Sequence, residues 1–108
     1  MSVTLIQFSY KPEVLEKLIK NPEDRSVAVK QLIEQAGGRM LSFYYSYGEY
    51  DGIILAETPD NISGLATTLA AYSKGNLTNL KTTVLITVEE AMEAMKRAAN
   101  LTLALPRG

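Results

Sequence analysis

A cluster of tyrosines with one carboxylate is the part of this sequence best suited to chemistry. Residues 44–52 read Tyr-Tyr-Ser-Tyr-Gly-Glu-Tyr-Asp-Gly, so four of the six tyrosines of the 108-residue chain stand within nine positions. Phenol hydroxyls and a carboxylate can transfer protons, hold a ligand by hydrogen bonds, or stabilise a turn. The segment is therefore a candidate reactive site, a ligand pocket or a tight turn between two strands.

The composition narrows the chemistry that this segment can perform. The chain has no histidine and no cysteine, which removes Ser-His-Asp triads, thiolate zinc sites and disulfides. The acidic residues show no ligand spacing, so we expect no metal site, and we expect no cofactor. A net charge of -1 with scattered Lys and Arg argues against a nucleic-acid partner. No apolar run is long enough to span a membrane, and the expected location is the cytoplasm.

The hydrophobic pattern around the cluster predicts four strands and four helices. Asn21 and Pro22 suit the first positions of a second helix, and Asp60 suits the N-cap of a third. Thr87 and Glu90 have the spacing of a capping box at the start of a fourth helix. The predicted strands are 3–9, 39–47, 50–57 and 78–87, and the predicted helices are 12–20, 22–36, 61–74 and 88–100.

This order predicts a ferredoxin-like α+β fold for residues 1–108 as one domain. Two βαβ units side by side give a four-stranded antiparallel sheet with helices on one face, here followed by an extra C-terminal helix. The first strand is apolar on both sides, with Val3 and Leu5 on one face and Ile6 and Phe8 on the other. An apolar sheet face without helices predicts a homodimer, or a higher oligomer, through that face. The alternative is a monomer in which the extra helix or the tail 101–108 covers the face.

Within the tyrosine cluster, Gly48-Glu49 predicts a two-residue type II′ turn, because a leading glycine supplies the positive φ that this turn requires. That register places Tyr45 opposite Gly52. Gly48→Ala is then expected to lower stability. One face receives the residues whose expected role is to stabilise the hairpin, together with Phe43 and Ile54: Tyr45, Tyr47 and Tyr50.

The other face receives Tyr44, Ser46 and Asp51, which are the candidate ligand-binding residues. Aspartate is a poor strand residue and needs a partner when it is buried. Asp51 could anchor the hairpin by hydrogen bonds, bind the positive end of a ligand, or act as a catalytic base with a raised pKa.

The segment Gly48-Glu49-Tyr50-Asp51, preceded by "GGRMLSFYYSYG" and followed by "GIILAETPD", resembles the signature of the GYD-domain family, and "SKGNLTNLKTTVLITVEE" resembles the second half of that family. The resemblance covers roughly residues 3–95 and implies a dimeric α/β barrel built from ferredoxin-like subunits. The same hairpin resembles one in the small-molecule-sensing domain of leucine-responsive-type transcription regulators. The helix-turn-helix half of those regulators has no counterpart here, so DNA binding is not implied.

Three functions remain open at this point. The first is a small-molecule-binding or sensor module that works as a homodimer; the second is a cofactor-independent enzyme resembling the monooxygenases or isomerases of the barrel superfamily; the third is a structural or assembly role. Binding and catalysis both require a concave site of roughly 300 Å³ or more. If Phe8, Phe43, Tyr45 and Ile54 fill the interior, both become less favoured.

Overall fold

The computed structural model describes residues 1–107, and within them the chain forms four strands and four helices. Their order along the chain is the predicted one, with two helices between the first and second strands. Their bounds are β1 Ser2–Tyr10, α1 Pro12–Lys20, α2 Ser26–Gln35, β2 Arg39–Tyr45, β3 Gly52–Thr58, α3 Asn61–Tyr72, β4 Leu77–Leu85 and α4 Val88–Ala98.

The strands form one antiparallel sheet in the order β2-β3-β1-β4, which is the ferredoxin-like arrangement. In the central pair, Ile6 lies opposite Ile54 and Phe8 opposite Gly52. On its other side Phe8 lies opposite Leu80 of β4. The predicted α+β fold class is confirmed.

The predicted alternation of β1 is confirmed by its burial. Thr4, Ile6 and Phe8 are buried beneath the helices, whereas Val3 and Leu5 point to the opposite face and stay half-buried. The buried core combines side chains from both central strands with one residue of α2, and its members are Ile6, Phe8, Ile33, Ile54 and Ala56. The sheet therefore has one face under helices and one face without them.

Two helix starts follow the predicted capping chemistry. The carboxylate of Asp60 accepts a hydrogen bond of 2.7 Å from the backbone N–H of Ser63, and this bond lowers the pKa of Asp60. Thr87 and Glu90 form the predicted capping box, in which each side chain accepts a hydrogen bond from the other residue's backbone N–H. Both contacts satisfy N–H groups that the first helical turn leaves without intrahelical partners.

The predicted start of the second helix is wrong. Asn21 ends α1 instead, because its N–H donates to the carbonyl of Lys17 at 2.9 Å. Helix α2 begins only at Ser26, whose N–H donates to Asp24 Oδ1 at 3.0 Å. Residues 21–25 are not helical, so a short loop separates the two helices.

Helix α4 and the tail extend away from the sheet. Among the described residues α4 makes no substantial contact with another helix or strand, and Leu101, Leu103 and Leu105 are exposed. The radius of gyration is 17.8 Å, against about 13 Å for a compact chain of this length. The tail leucines therefore do not complete the core of their own chain.

Within residues 1–107, none of the helices combines the length and the apolar character that crossing a bilayer demands.

Candidate functional site

The loop between β2 and β3 is longer than the sequence predicts. The predicted pairings of Phe43 with Ile54 and of Tyr45 with Gly52 are confirmed, but the ladder ends there and residues 46–51 form the connection. The backbone N–H groups of Ser46 and Tyr47 both donate to the carbonyl of Asp51, at 2.8 and 3.3 Å. The two strands are thus closed by a six-residue loop and not by a two-residue turn.

Tyr47, and not Gly48, takes the left-handed conformation in this loop. The φ of Tyr47 is 47°, and Gly48 is not among the described residues with positive φ. The predicted type II′ turn is therefore wrong. A Cβ atom added at Gly48 would meet no atom within 4 Å. The structure gives no reason for Gly48→Ala to lower stability, which overturns that expectation.

An aromatic cluster runs from the covered sheet face to the loop. The rings of Tyr45 and Tyr47 are stacked, with centroids 5.3 Å apart and planes 9° apart. Tyr45 also meets Phe43 edge-on at 5.3 Å, while Tyr50 contributes only its carbonyl, which accepts hydrogen bonds from the Ser46 hydroxyl and the Gly48 N–H. The sequence correctly placed Phe43, Tyr45 and Tyr47 together.

Two members of this cluster, Phe8 and Tyr10, come from β1; Phe8 was expected in the interior with Phe43 and Tyr45, whereas Tyr10 was not predicted. Their rings are 5.2 Å apart, and the hydroxyl of Tyr10 lies 3.2 Å from that of Tyr45. Burial, and next the hydrogen bond to Tyr45, raise the pKa of Tyr10 above its ordinary value of 10.0. The alternation of β1 was the available signal, since it puts Tyr10 on the side of Ile6 and Phe8.

Gly52 lies opposite both Tyr45 and Phe8 in the sheet, and the ring that covers it is that of Phe8. A Cβ atom added at Gly52 would lie 2.5 Å from Cε1 of Phe8 and still closer to its Cζ. Phe8 is 4% exposed and lies directly opposite Gly52 in the ladder. The absence of a side chain at Gly52 therefore gives the Phe8 ring its place in the core.

Asp51 fastens the start of β3 to the end of β1. Its Oδ2 accepts a hydrogen bond of 2.9 Å from the backbone N–H of Tyr10, and its own N–H donates to the carbonyl of Phe8 at 2.8 Å. These two bonds continue the β1–β3 ladder beyond Gly52. One is an ordinary backbone bond, and in the other the Asp51 carboxylate is the acceptor in place of a backbone carbonyl.

The other two candidate residues do not converge on Asp51. Tyr44 lies opposite Ile53 on the sheet face without helices and is 69% exposed. The Ser46 hydroxyl donates to the carbonyl of Tyr50 at 2.7 Å, within the loop. Tyr44, Ser46 and Asp51 therefore do not form one pocket in this chain.

A cavity of about 610 Å³ lies elsewhere, between the covered sheet face and the helices. The sheet supplies its floor, α1 and α2 one wall, and α3 the other. Its apolar lining includes Ile6, Phe8, Val14, Leu18, Val29, Leu32, Ile33, Ile54, Ala71, Leu77 and Leu80. Phe8 and Ile54 thus line an open cleft and do not fill it.

The polar groups around this cavity are few. Thr67 and Thr68 line it on α3, but their hydroxyls donate to the carbonyls of Ser63 and Gly64 one turn back. Within the described residues no buried side-chain nitrogen or oxygen lacks a hydrogen-bond partner. The charged lining residues are Lys17, Glu23, Arg25 and Lys74. Three cations and one carboxylate give the cavity an excess of positive charge.

Tyr10 connects the loop with the cavity. Its ring lines the cavity, its hydroxyl contacts Tyr45, and its backbone N–H is held by Asp51. A residue of the predicted site therefore positions a residue of the observed cavity.

The sheet order, the helices on one face and the loop with its Gly-x-Tyr-Asp segment define a ferredoxin-like α+β protein. The family model of the GYD domain matches residues 5–95. The chain belongs to the GYD-domain family, as the sequence predicts. The comparison with curated proteins finds no match.

The chain is similar to solved structures at low sequence identity, and one of them, with a TM-score above 0.5, shows the same fold. The crystal structure of MtbAldR is 14% identical with a TM-score of 0.55; the match covers 80% of this chain and 52% of that one, so this chain spans about half the length of MtbAldR. A hypothetical protein from Pyrococcus horikoshii is 22% identical over 81% of this chain and 92% of that one, with a TM-score of 0.47. An uncharacterised NIPSNAP-like domain protein from Burkholderia xenovorans is 13% identical over 81% and 84%, with a TM-score of 0.48.

Proposed function

We propose that this chain is a small-molecule-binding or sensor module that works as a homodimer in the cytoplasm. The observation that carries the proposal is the cavity of about 610 Å³ between the sheet and the helices. Small-molecule sites in proteins occupy roughly 300–1,000 Å³ and are lined mainly by apolar side chains with a few polar groups. The cavity has this size and this lining.

The charges at the cavity indicate the class of ligand. Lys17, Arg25 and Lys74 line it, and only Glu23 opposes them, with its carboxylate 3.4 Å from the Arg25 guanidinium. One cation is thus partly neutralised and two remain for a ligand. An apolar molecule with one anionic group, such as a medium-chain or aromatic carboxylate, matches an apolar interior with cations.

In this proposal Asp51 has a positioning role. Its hydrogen bond to the Tyr10 N–H fixes the end of β1, and the Tyr10 ring lines the cavity. The Tyr10 hydroxyl is protonated at neutral pH, as tyrosine ordinarily is, so it can donate a hydrogen bond to an anion. The alternative of an enzyme with Asp51 as base gains no support from these contacts, because Asp51 does not line the cavity.

The homodimer rests on the sheet face that carries no helices, which we call the open sheet face and define by Val3, Leu5, Ile53, Leu55 and Leu85. Leu5 lies opposite Leu55, and Val3 lies opposite Leu85. A contiguous apolar sheet surface favours association with a second copy. We propose that two open sheet faces meet and close a dimeric α/β barrel.

Thermal-shift measurements with matched ligands test the binding proposal. We expect octanoate to raise the melting temperature, and octylamine, of equal chain length and opposite charge, to have little effect. Lys17→Gln and Lys74→Gln should weaken the octanoate effect, whereas Lys30→Gln, outside the cavity lining, should not. Ala71→Leu should reduce binding by filling the cavity, with Ala66→Leu on the same helix as its control.

Two results would contradict this proposal. Equal stabilisation by octanoate and octylamine would reject the anionic class, and no stabilisation by any of a panel of aliphatic and aromatic acids would reject the cavity as their site. The dimer is tested separately by sedimentation at micromolar concentration. Leu55→Arg should shift the chain towards monomer and Gln31→Arg should not; a monomeric wild type would reject the dimer.

A further inference from the structure

Helix α4 presents an apolar stripe that nothing in its own chain covers. Val88, Met92, Met95 and Ala99 are spaced by four, three and four residues, which puts them on one helix face. Val88 is 77% exposed and Met95 is 68% exposed. The opposite side carries charges, including the ion pair of Arg97 with Glu93 at 3.2 Å. A helix with this pattern normally buries its apolar side.

Helix α3 presents a second stripe of the same kind. Ile62, Leu65, Leu69 and Tyr72 are spaced by three, four and three residues and are all exposed, with Leu65 at 57%. The helix approaches the sheet through small residues on its other side: a Cβ atom at Gly64 would lie 3.1 Å from Thr58 Oγ1. Its large apolar side chains therefore point away from its own sheet.

The composition of α3 is also unusual for a helix that faces water. Residues 61–72 contain no charged residue. A helix whose outer side faces water usually carries charged or strongly polar residues there. An uncharged helix with four large exposed apolar side chains is consistent with a covered position in an assembly.

The excess exposed area of the chain is larger than one sheet-to-sheet contact would cover. The chain exposes 7995 Å², about 2,000 Å² more than a compact monomer of 11.9 kDa. A protein interface of standard size removes about 800 Å² per partner. A sheet-to-sheet contact of that size would leave about 1,200 Å² of the excess uncovered, and the two helical stripes are exposed apolar surfaces that remain, together with Leu101, Leu103 and Leu105 of the tail.

The connection between β4 and α4 keeps α4 away from α3 of its own chain. Only Ile86 and Thr87 join the strand to the helix, and the capping box of Thr87 with Glu90 fixes the first turn. This short connection directs α4 away from the body of its own chain, where it has no substantial contact with α3.

We propose that α4 of one protomer packs its apolar stripe along the apolar stripe of α3 in a second copy, and that the exchange is reciprocal. Both stripes have the three–four spacing that packs helices side by side at a small crossing angle. In a two-fold dimer the same contact forms twice, so each α3 is covered by the partner's α4. This contact is additional to the open sheet faces and does not depend on ligand binding.

Cysteine cross-linking tests the contact directly, because the natural chain has no cysteine. A tagged Met92→Cys chain and an untagged Leu65→Cys chain are co-expressed and treated with a short bis-maleimide, which tolerates an offset in register. We expect a mixed dimer joining the two chains. The matched control replaces Met92→Cys by Ala94→Cys, which lies off the stripe of the same helix and should cross-link much less.

Three outcomes would overturn the proposal. The first is a yield of cross-linked mixed dimer no higher than the yield with the Ala94→Cys control. Another is efficient self-cross-linking of Met92→Cys alone, which would mean that two α4 helices pair. The third is a Met92→Cys/Leu65→Cys double variant that links only within one chain, which would mean that α4 covers its own α3.

The dissociation constants of dimers formed by variant chains distinguish the α3–α4 contact from the contact between open sheet faces. Met92→Lys should weaken the dimer roughly tenfold or more, since an unpaired charge in a packed seam costs at least that factor, whereas Ala94→Lys should not. Sensitivity to Leu55→Arg without any α3–α4 cross-link would reject this inference and keep the sheet-face dimer. An α3–α4 cross-linked dimer whose dissociation constant does not change with Leu55→Arg would support this inference and reject the sheet-face dimer.

Discussion

Gly52 is the position where one added methyl group should have the largest effect. Gly52→Ala would place Cβ 2.5 Å from Cε1 of Phe8, roughly 1 Å inside the normal carbon–carbon contact distance. The Phe8 ring has little room to move, because it is 4% exposed and packs against the rings of Tyr10 and Phe43 at 5.2 and 5.8 Å. Overpacking a tight core costs about 1–3 kcal/mol, and the rigid surroundings favour the upper part of that range.

The matched control for this change is Gly48→Ala, which adds the same methyl group where no atom lies within 4 Å. Urea unfolding followed by far-UV circular dichroism should show a loss of about 2–3 kcal/mol for Gly52→Ala and a change within about 0.5 kcal/mol for Gly48→Ala. In a Phe8→Leu background the cost of Gly52→Ala should fall by at least about 1 kcal/mol, since the opposing ring is gone. Equal costs for the two glycines, or an unchanged cost in the Phe8→Leu background, would refute the reasoning.

Three further changes have defined outcomes in the same unfolding assay. Asp51→Ala should lower the free energy of unfolding by about 1–3 kcal/mol because it leaves the Tyr10 N–H unpaired, whereas Asp51→Asn should cost less because its amide oxygen can still accept; full stability of Asp51→Ala would contradict the anchoring role. Burial and the bond to Tyr45 raise the pKa of Tyr10 in the folded state, so the stabilisation from the protonated hydroxyl is complete below about pH 10 and is lost as the pH rises further; Tyr10→Phe should flatten the decline in the free energy of unfolding measured above about pH 10, and an identical decline there would refute the assignment. Thr87→Ala removes the acceptor for the Glu90 N–H and should cost about 1 kcal/mol of helix stability, which hydrogen exchange at the start of α4 would measure; unchanged protection there would count against the cap.

Local physical chemistry explains why much of the fold was predictable. The burial of Thr4, Ile6 and Phe8 follows from strict alternation along β1, which depends only on strand geometry. The caps at Asp60 and Thr87 were predictable because each contact joins residues three positions apart. The family resemblance depended on the same kind of local pattern.

The loop shows where local rules gave a wrong result. The turn rule places positive φ at Gly48, yet Tyr47 adopts it, at an intrinsic cost of roughly 1–2 kcal/mol. Its ring stacks on Tyr45 and its N–H donates to the Asp51 carbonyl. These contacts offset the cost of the left-handed conformation. They join residues across the loop, and a rule based on neighbouring residue types does not include them.

The cavity and the place of Tyr10 required the packed structure. The volume between α2 and α3 depends on how far apart the helices lie on the sheet, which no sequence pattern specifies. Tyr44, Ser46 and Asp51 shared a face only under an uninterrupted two-residue turn. Once residues 46–51 form a loop, each of them has a different neighbour.

The positions of the tyrosines determine which part of the protein its intrinsic fluorescence reports on. The chain has no tryptophan, and five of its six tyrosines lie in β1, β2 and the loop, at one end of the sheet, with Tyr72 on α3 as the exception. Tyrosine emission is therefore a local reporter of that end, whereas circular dichroism averages over all elements. A ligand that enters beside Tyr10 should change the emission before any helix melts. If the tyrosine emission changes on heating before the circular dichroism does, this end of the sheet unfolds before the rest of the chain.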